Sequence, residues 1–292
     1  MKLQGAYTAM ITPFTTAGDV DWQQLTNNVN FQIEQGIDGL VPCGTTGESP
    51  TLSNDEHAKV IEVVTKTANG KVPVIAGTGS NSTSEAVEMT KHAKELGVDV
   101  VLSVNPYYNK PTQQGMYRHF MQIADVGVPV LLYNIPGRSA VGLSLDTITR
   151  LSAHPNIIGI KEATGSMEIA SEIANECDPE KFTILSGDDV LTLPLMSVGG
   201  KGVISVLSNL LPARVKALTA AGLAGDYAKA RQLHFDQLKI CQSMFIETNP
   251  IPVKTAMMFK GMDTGTLRLP MCEMTDENAA TLKKVLEDQG VL

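Results

Sequence analysis

The fold is decided by the stretch Ile157-Ile-Gly-Ile-Lys161-Glu-Ala-Thr-Gly165. Its first four residues, three of them isoleucine, form a short apolar run that predicts a strand buried on both faces, as in a parallel sheet. Lys161 ends this strand, where its amine loses hydration and the neutral form becomes favoured. A neutral lysine amine is a nucleophile that can form a Schiff base with a carbonyl compound. The alternative is a lysine that leaves the strand into solvent or pairs with a carboxylate.

Short apolar runs of this kind recur along the chain, and each is followed by a polar segment with a helical pattern. Two of these segments open on helix-start signals, Ser53-Asn-Asp-Glu56 and Ser82-Thr-Ser-Glu85. Strands that alternate with helices predict a parallel sheet, and eight of them predict a closed (β/α)8 TIM barrel, an α/β fold. A doubly wound open sheet is the alternative, although such sheets usually have fewer strands. The eight runs are residues 6–13, 39–44, 72–77, 98–105, 128–135, 157–161, 182–187 and 202–206.

The pattern changes after Leu223, where strands no longer alternate with helices. Three helix-patterned segments follow, and the last begins with the capping pattern Thr275-Asp-Glu. We therefore predict two domains. Residues 1–224 form the barrel with the active site, and residues 225–292 form a C-terminal appendage of three helices packed on it. The three segments span residues 226–245, 251–259 and 275–286.

The composition excludes several classes of function. The chain has 292 residues, of which 43% are hydrophobic, so it can bury a full core without disulfides or metal. Its formal net charge of −8 argues against a nucleic-acid partner, which a basic face would bind. It has neither a signal-peptide pattern nor the roughly 18 consecutive apolar residues of a membrane span. The four cysteines are scattered without a CxxC pair, which is typical of a protein with reduced thiols. We therefore expect a soluble cytoplasmic protein that binds no membrane.

In a TIM barrel the catalytic groups lie at the carboxyl ends of the strands, so the residues that follow each run are the candidates. After the second run comes Gly44-Thr-Thr-Gly-Glu48, in which Thr45 and Thr46 with their amides can hold a carboxylate. At the end of the fifth run, Tyr133 can transfer a proton. Arg138 follows it and can bind a carboxylate with two parallel hydrogen bonds.

The other strand ends argue against a phosphate or metal site. Asp188 and Asp189 follow the seventh run and would repel a phosphate, while the glycine-rich residues 199–202 precede the eighth strand and lie at the opposite end. No histidine joins the few acidic side chains near the predicted site, so no metal is expected. After the fourth run, Tyr107 and Tyr108 can form a wall of the site, an interface contact, or both.

Five motifs, in register and in order, resemble those of the dihydrodipicolinate synthase family, whose members are also called 4-hydroxy-tetrahydrodipicolinate synthases. The resemblance runs from Gly5 to the C-terminus. The wider superfamily of pyruvate-dependent class I aldolases, which includes N-acetylneuraminate lyase, shares the lysine and the Gly-x-x-Gly-Glu turn. The double tyrosine and Arg138 are typical of the synthase branch. The motifs are Gly44-Thr-Thr-Gly-Glu48, Tyr107-Tyr-Asn-Lys-Pro111, Tyr133-Asn-Ile-Pro-Gly-Arg138, Ile160-Lys-Glu-Ala-Thr-Gly165 and Leu185-Ser-Gly-Asp-Asp189.

This resemblance implies a condensation through a Schiff base. Lys161 would form an imine with the ketone of pyruvate, and tautomerisation would give an enamine. The enamine carbon would attack the aldehyde of aspartate 4-semialdehyde, and cyclisation would release the product and regenerate the lysine. No cofactor is expected, because the covalent pyruvate imine on Lys161 is itself the electron sink.

The resemblance also implies roles for the other strand-end residues. Tyr133 would donate and accept the proton at the carbinolamine steps, and Thr45 would link it to Tyr108 of a neighbouring subunit. The complete site would then need at least a dimer, and we expect a homotetramer built as a dimer of dimers, as is usual in the family. The implied substrate-binding residues are Thr46 for the pyruvate carboxylate, Arg138 for the semialdehyde carboxylate, and Gly187 and the Ile204 carbonyl for the pocket wall.

A site for lysine, the end product of the pathway, is implied at the interface of the tight dimer. Glu85 can pair with the lysine ammonium. Asn54 and Pro50 depart from the lysine-sensitive pattern, which has a histidine and a small flexible residue there, so we expect weak or absent inhibition. The alternative is that Glu85 and His57 only cap and pad an interface. The matching positions are Ser49, Pro50, Asn54, His57, Asn81, Glu85 and Tyr107.

Two other functions stay open at this point. A related aldolase that cleaves a 2-keto-3-deoxy sugar acid would use the same lysine, but it would need polar groups where Arg138 offers one strong anion clamp. A non-catalytic barrel that binds keto acids or acts as a scaffold is the second possibility. Such a barrel has no need of a strand-end amine together with Tyr133, Thr45 and Arg138.

Overall fold

The structure, a computed structural model, describes residues 2–292, which is all of the chain except Met1. Its eight parallel strands form a barrel. The strands are β1 (Gly5–Ala9), β2 (Gly39–Val41), β3 (Ile75–Gly77), β4 (Val100–Val104), β5 (Val130–Asn134), β6 (Ile157–Glu162), β7 (Thr183–Ser186) and β8 (Gly202–Ser205). Their spatial order is β2-β1-β8-β7-β6-β5-β4-β3. A parallel bridge between Leu40 and Val74 joins β2 to β3 and closes the barrel. The predicted TIM-barrel fold is therefore confirmed.

Helices form the outer layer of the barrel and continue beyond it. After β8, α9 returns along the barrel, and three further helices make up the C-terminal segment. The helices are α1 (Trp22–Glu34), α2 (Asn54–Ala68), α3 (Thr83–Glu95), α4 (Gln113–Ala124), α5 (Pro136–Ser139), α6 (Leu145–Ser152), α7 (Met167–Glu176), α8 (Thr192–Ser197), α9 (Pro212–Leu223), α10 (Tyr227–Ser243), α11 (Ile251–Phe259) and α12 (Asp276–Asp288). None of the helices in the described part of the chain is long and apolar enough to cross a membrane.

Two helix starts show what the sequence patterns predict correctly and what they miss. Ser53 and Glu56 form a reciprocal capping box at α2, each side chain accepting a hydrogen bond from the other residue's backbone amide. The similar pattern Ser82-Thr-Ser-Glu85 also marks a helix start, since α3 begins at Thr83 with Ser82 as its N-cap. No capping box forms there: Ser82 makes no side-chain cap, and Glu85 accepts a hydrogen bond from the Ser80 hydroxyl.

Alternation along the strands divides the core into two layers. In β5, Leu131 and Tyr133 point into the barrel, whereas Val130 and Leu132 point outward and pack beneath the helices. Nearly every strand residue is buried, because the barrel interior is filled by side chains and the helices cover the outside. Lys161 pairs in register with Tyr133 and therefore also points into the barrel.

The predicted strands and C-terminal helices are all present, with some different ends. β3 covers only the last three residues of the predicted run at 72–77, and β6 continues one residue further than predicted, to Glu162. The helices of the C-terminal segment begin and end within two residues of the predicted positions. The division into domains at residue 224 stays a prediction.

Asp263 lies between α11 and α12, and both of its carboxylate oxygens are shielded from solvent. Burial raises the pKa of this carboxyl from its ordinary 3.8 to about 6, although the Lys254 ammonium acts in the opposite direction. The folded protein therefore holds the proton more tightly than the unfolded chain does. Consequently the free energy of unfolding falls as the pH rises from 3.8 to about 6. Above that range the folded protein bears the full cost of the buried Asp263 charge.

We expect Asp263→Asn to raise the free energy of unfolding at pH 8 by about 1–3 kcal/mol. At pH 4 the substitution should have little effect, since the wild-type carboxyl is then protonated in the folded protein. Urea unfolding at both pH values measures the difference, with Asp288→Asn at an exposed carboxyl as the control. Equal stabilisation at the two pH values would contradict the assignment of this penalty to the Asp263 charge.

Candidate active site

Lys161 is buried at the carboxyl end of β6, with only 6% of its surface exposed. Its Nζ lies 4.0 Å from the centroid of the Tyr133 ring, which is the neighbouring residue across β5 and β6. No salt bridge within residues 2–292 includes this amine. Lys161 thus neither leaves the barrel for solvent nor pairs with a carboxylate. This environment leaves the amine available to react with a carbonyl compound.

Glycine is required beside this lysine at position 187. A Cβ built on Gly187 would lie 2.6 Å from the Cβ of Ala163 and 3.1 Å from the Cε of Lys161. Any other residue would therefore push against the lysine side chain. Ile204 lies in β8, is buried, and belongs with Tyr133 to the apolar cluster inside the barrel. Of the two predicted pocket residues, Gly187 thus lies against Lys161, and Ile204 lies in the barrel interior.

A polar network that was not predicted from the sequence begins at Glu162, the residue that follows Lys161 in β6. Glu162 is buried, and its carboxylate accepts hydrogen bonds from the Thr164 amide at 2.6 Å and the Asn134 side-chain amide at 3.2 Å. Asn134 in turn accepts from the side chain of Asn105 and from the backbone of Leu143. Burial raises the pKa of Glu162. These bonds tie together the ends of β4, β5 and β6, so they hold the strands that carry the candidate catalytic groups.

The turn that follows β2 presents two threonines to the same end of the barrel. Thr45 is partly exposed and lines a cavity of about 360 Å³. Thr46 is buried, and its hydroxyl accepts a hydrogen bond from the Asn249 side-chain amide at 3.1 Å. Glu48 closes the turn in a left-handed conformation with φ of 52°. The backbone of this turn is therefore held by contacts from distant parts of the chain.

Arg138 lies on the short helix α5 at the rim of the same cavity. Its Nη2 donates a hydrogen bond to the Asn249 carbonyl at 3.1 Å. Asn249 therefore contacts both Arg138 and Thr46, and it connects the two groups that were predicted to hold carboxylates. The role of Asn249 was not predicted from the sequence, because this residue follows α10 and is far from both partners along the chain.

The cavity contains Tyr133 in its lining but not Lys161, which pairs with Tyr133 across β5 and β6. Six of the seven residues predicted to bind lysine also line it: Ser49, Pro50, Asn54, His57, Glu85 and Tyr107. Asn81 does not, and its carbonyl accepts a hydrogen bond from the Asn109 side chain. Burial lowers the pKa of His57, so this side chain is neutral near pH 7. One cavity thus contains part of the candidate active site, namely Thr45, Tyr133 and Arg138, together with most of the predicted lysine site.

Tyr108 stands apart from the other candidates. It is 89% exposed, and its backbone has a φ of 69°, which is uncommon for a tyrosine. Within the described residues, no hydrogen bond joins the hydroxyls of Tyr108, Thr45 and Tyr133. The relay through these three groups is therefore not formed within one chain and stays a prediction.

The acidic residues after β7 support the structure of the neighbouring loop. Asp189 is buried, and one carboxylate oxygen accepts hydrogen bonds from the backbone amides of Val206 and Leu207 at 2.9 and 3.1 Å. Asp188 accepts from the Val190 amide. In the part of the chain that the structure describes, no group of three or more histidine, cysteine or acidic side chains could hold a metal ion. Asp189 thus holds the segment that follows β8, and Asp188 holds the loop that follows β7.

A TIM barrel with a buried lysine beside a tyrosine at the end of β6 has the architecture of a lyase of the class I aldolase type. The model of the dihydrodipicolinate synthetase family matches residues 2–289, and the chain belongs to this family. It is 52% identical over 290 residues to the 4-hydroxy-tetrahydrodipicolinate synthase of Geobacter sulfurreducens, with 99% of both chains covered. The predicted family is therefore confirmed.

Solved structures agree with this family. The chloride-inhibited dihydrodipicolinate synthase from Acinetobacter baumannii, complexed with pyruvate, is 43% identical, with a TM-score of 0.97 and 100% of both chains covered. A dihydrodipicolinate synthase described as the first monomeric variant is 37% identical, also with a TM-score of 0.97, and the match covers 99% of this chain and 98% of that one. The barrel and its C-terminal helices are thus shared over the full length.

Proposed function

We propose that this chain condenses pyruvate with L-aspartate 4-semialdehyde to form 4-hydroxy-tetrahydrodipicolinate, in the diaminopimelate route to lysine. The observation that carries this proposal is the buried Lys161 amine beside Tyr133. It is supported by the 52% identity of the chain to a 4-hydroxy-tetrahydrodipicolinate synthase. We place the reaction in the cytoplasm, where the product would enter amino-acid synthesis.

Lys161 acts as the nucleophile in the proposed reaction. Its nitrogen attacks the ketone carbon of pyruvate, and the ketone oxygen leaves as water to give a protonated imine. Loss of a methyl proton gives the enamine, whose carbon bonds to the aldehyde carbon of the semialdehyde. The semialdehyde amine then attacks the imine carbon, closes the ring and displaces Lys161. The protonated imine is the electron sink, so the proposed mechanism needs no cofactor.

The surrounding groups bind and orient the two substrates. We assign the pyruvate carboxylate to the turn that bears Thr45 and Thr46, whose hydroxyl and backbone N–H groups can donate hydrogen bonds to a carboxylate. Gly187 leaves the room that the adduct on Lys161 needs. Arg138 at the rim receives the carboxylate of the semialdehyde, since a guanidinium binds a carboxylate strongly and with a defined geometry.

The test of this function is an assay with both substrates and a pyruvate trap. The protein should consume pyruvate and aspartate 4-semialdehyde together, and borohydride should reduce a pyruvate adduct onto the chain. Cleavage of a 2-keto-3-deoxy sugar acid without this condensation would instead assign the protein to a related aldolase. The absence of any trapped adduct would point to a barrel that only binds keto acids.

A second copy of the chain completes the proposed site. The exposure of Tyr108 supports this arrangement, because an aromatic side chain that reaches into solvent from a loop is available for an interface. We propose that Tyr108 reaches the Thr45 and Tyr133 of a neighbouring subunit and that two such dimers form a tetramer.

Mixing Tyr108→Phe with Lys161→Ala should restore activity that neither variant has alone. Each mixed dimer would contain one site with both Lys161 and Tyr108 intact, so equal amounts should give about a quarter of the wild-type activity. The matched control replaces the second partner by the double variant Tyr108→Phe/Lys161→Ala, which offers no intact site. If subunit exchange is verified and no activity returns, Tyr108 serves the site of its own chain.

Inhibition by lysine is expected to be weak or absent. Glu85 faces the cavity and can bind an ammonium, but Asn54 carries no charge and Pro50 offers no backbone N–H donor. We expect Asn54→His to strengthen inhibition, whereas the neutral control Asn54→Gln should not. Initial rates over a series of lysine concentrations measure the effect. Half-inhibition of the unmodified enzyme by submillimolar lysine would show that these two positions do not decide sensitivity.

A further inference from the structure

A second buried lysine lies outside the candidate active site. Lys254 belongs to α11 in the C-terminal segment, and none of its surface is exposed. Its Nζ donates hydrogen bonds to Glu48 Oε1 at 2.8 Å and to the Thr12 carbonyl at 3.0 Å, and it lies over the ring of Phe14. A fully buried ammonium is strongly unfavourable without such partners. The pair therefore requires α11 and the turn after β2 to keep a fixed distance.

Glu48, the partner of Lys254, has a backbone conformation that needs support. Its φ of 52° and ψ of 35° place it in the left-handed region, which residues with a side chain adopt rarely. The second carboxylate oxygen accepts a hydrogen bond from the Arg268 amide at 3.1 Å. Both oxygens of this buried carboxylate are thus bound by the C-terminal segment, which fixes the side chain and with it the backbone of the turn.

A second contact holds the same turn through Thr12. The Thr12 hydroxyl donates to the Gly47 carbonyl at 2.7 Å, while the Thr12 carbonyl accepts from Lys254. The backbone of Gly47 lies close to its neighbours, since a Cβ at this position would lie 3.1 Å from the Met10 carbonyl oxygen. The amides of Gly47 and Ser49 both donate to the Gly44 carbonyl, so a shift at Glu48 is transmitted across the turn.

We propose that Lys254 is a positioning residue for pyruvate: through Glu48 and Thr12 it holds the turn of residues 44–48 so that its donors meet the pyruvate carboxylate. This inference rests on the proposed function, in which that turn binds pyruvate. Lys254 does not contact the substrate itself. Its loss should therefore weaken pyruvate binding more than it slows the later chemical steps.

The experiment compares Lys254→Met with a control at another ion pair. We expect Lys254→Met to raise the pyruvate concentration that half-saturates borohydride trapping at least tenfold, and to change kcat less than threefold. The control is Lys216→Met, since Lys216 pairs with Asp38 at the opposite end of the barrel, beside the start of β2. It removes a salt bridge but should leave pyruvate half-saturation unchanged.

Two further variants keep the proposal testable. Glu48→Gln keeps the shape of the side chain and an acceptor for Lys254 but removes the counter-charge, so a smaller increase in pyruvate half-saturation is expected. Where a single variant does not fold, Glu48→Gln/Lys254→Met leaves no unpaired buried charge, so the fold should recover while the raised half-saturation persists. Pyruvate half-saturation equal to that of Lys216→Met in these variants would overturn the proposal. Failure of the wild-type protein to trap pyruvate would instead overturn the proposed function.

Discussion

Replacing Lys161 by methionine should abolish turnover, by on the order of 10⁴-fold or more, while the barrel stays folded. Methionine keeps most of the length and apolar character of the side chain, so packing against Tyr133 is retained. The variant removes the only atom that can form the imine, and the loss of a covalent nucleophile is among the largest single effects in catalysis. Steady-state rates with pyruvate and aspartate 4-semialdehyde measure this loss.

Borohydride trapping identifies the nucleophile independently. In the wild-type protein, one reduced pyruvyl group should be found on Lys161 by peptide mass mapping, and Lys161→Met should carry none. Lys201→Met is the matched control, because Lys201 immediately precedes β8 at the other end of the barrel and its loss should leave trapping intact. An adduct on another lysine, such as Lys254, would overturn the assignment.

The barrel could be predicted because its signal is local. Each strand of a covered parallel sheet is a short apolar run, and each run can be recognised without knowledge of its neighbours. The errors are also local in origin. The run at residues 72–77 begins beside Pro73, which has no N–H to donate to a ladder, and Val74 before the strand forms an isolated bridge to Leu40.

The end of β6 was predicted one residue too early. The predicted strand ended at Lys161, directly after the apolar residues of the run, whereas β6 ends at Glu162. Glu162 nevertheless extends the strand, because Asn134 and the Thr164 amide bind its carboxylate. These partners belong to the end of the neighbouring strand and to the next loop, and nothing in the apolar pattern indicates them.

The candidate site was predictable in its parts and not in its connections. Lys161 and Tyr133 could be placed together because both end strands that are consecutive in the chain. The contacts of Asn249 with Thr46 and of Lys254 with Glu48 join residues more than 200 positions apart. Periodicity and turn chemistry carry no information about such pairs, so only the folded structure reveals that α11 supports the turn after β2.

Replacing Tyr133 by phenylalanine should lower turnover by roughly 10²–10⁴-fold, the range expected when a positioned proton donor and acceptor is lost. The tyrosine is only 5% exposed, and phenylalanine retains the ring that packs 4.0 Å from the Lys161 amine, so the fold and the lysine environment should be preserved. Formation of the imine should become slow, because water must leave the carbinolamine without its proton donor. Stopped-flow or quenched borohydride trapping measures this step directly.

Tyr7→Phe is the matched control for this loss. Tyr7 is also a buried tyrosine inside the barrel, and its hydroxyl accepts a hydrogen bond from the Gln4 amide near the start of β1. Because this hydroxyl lies at the opposite end from Lys161, its removal should change turnover less than threefold. If Tyr133→Phe is well folded and turns over at a rate similar to Tyr7→Phe, another group moves the proton, and the role assigned to the Tyr133 hydroxyl is wrong.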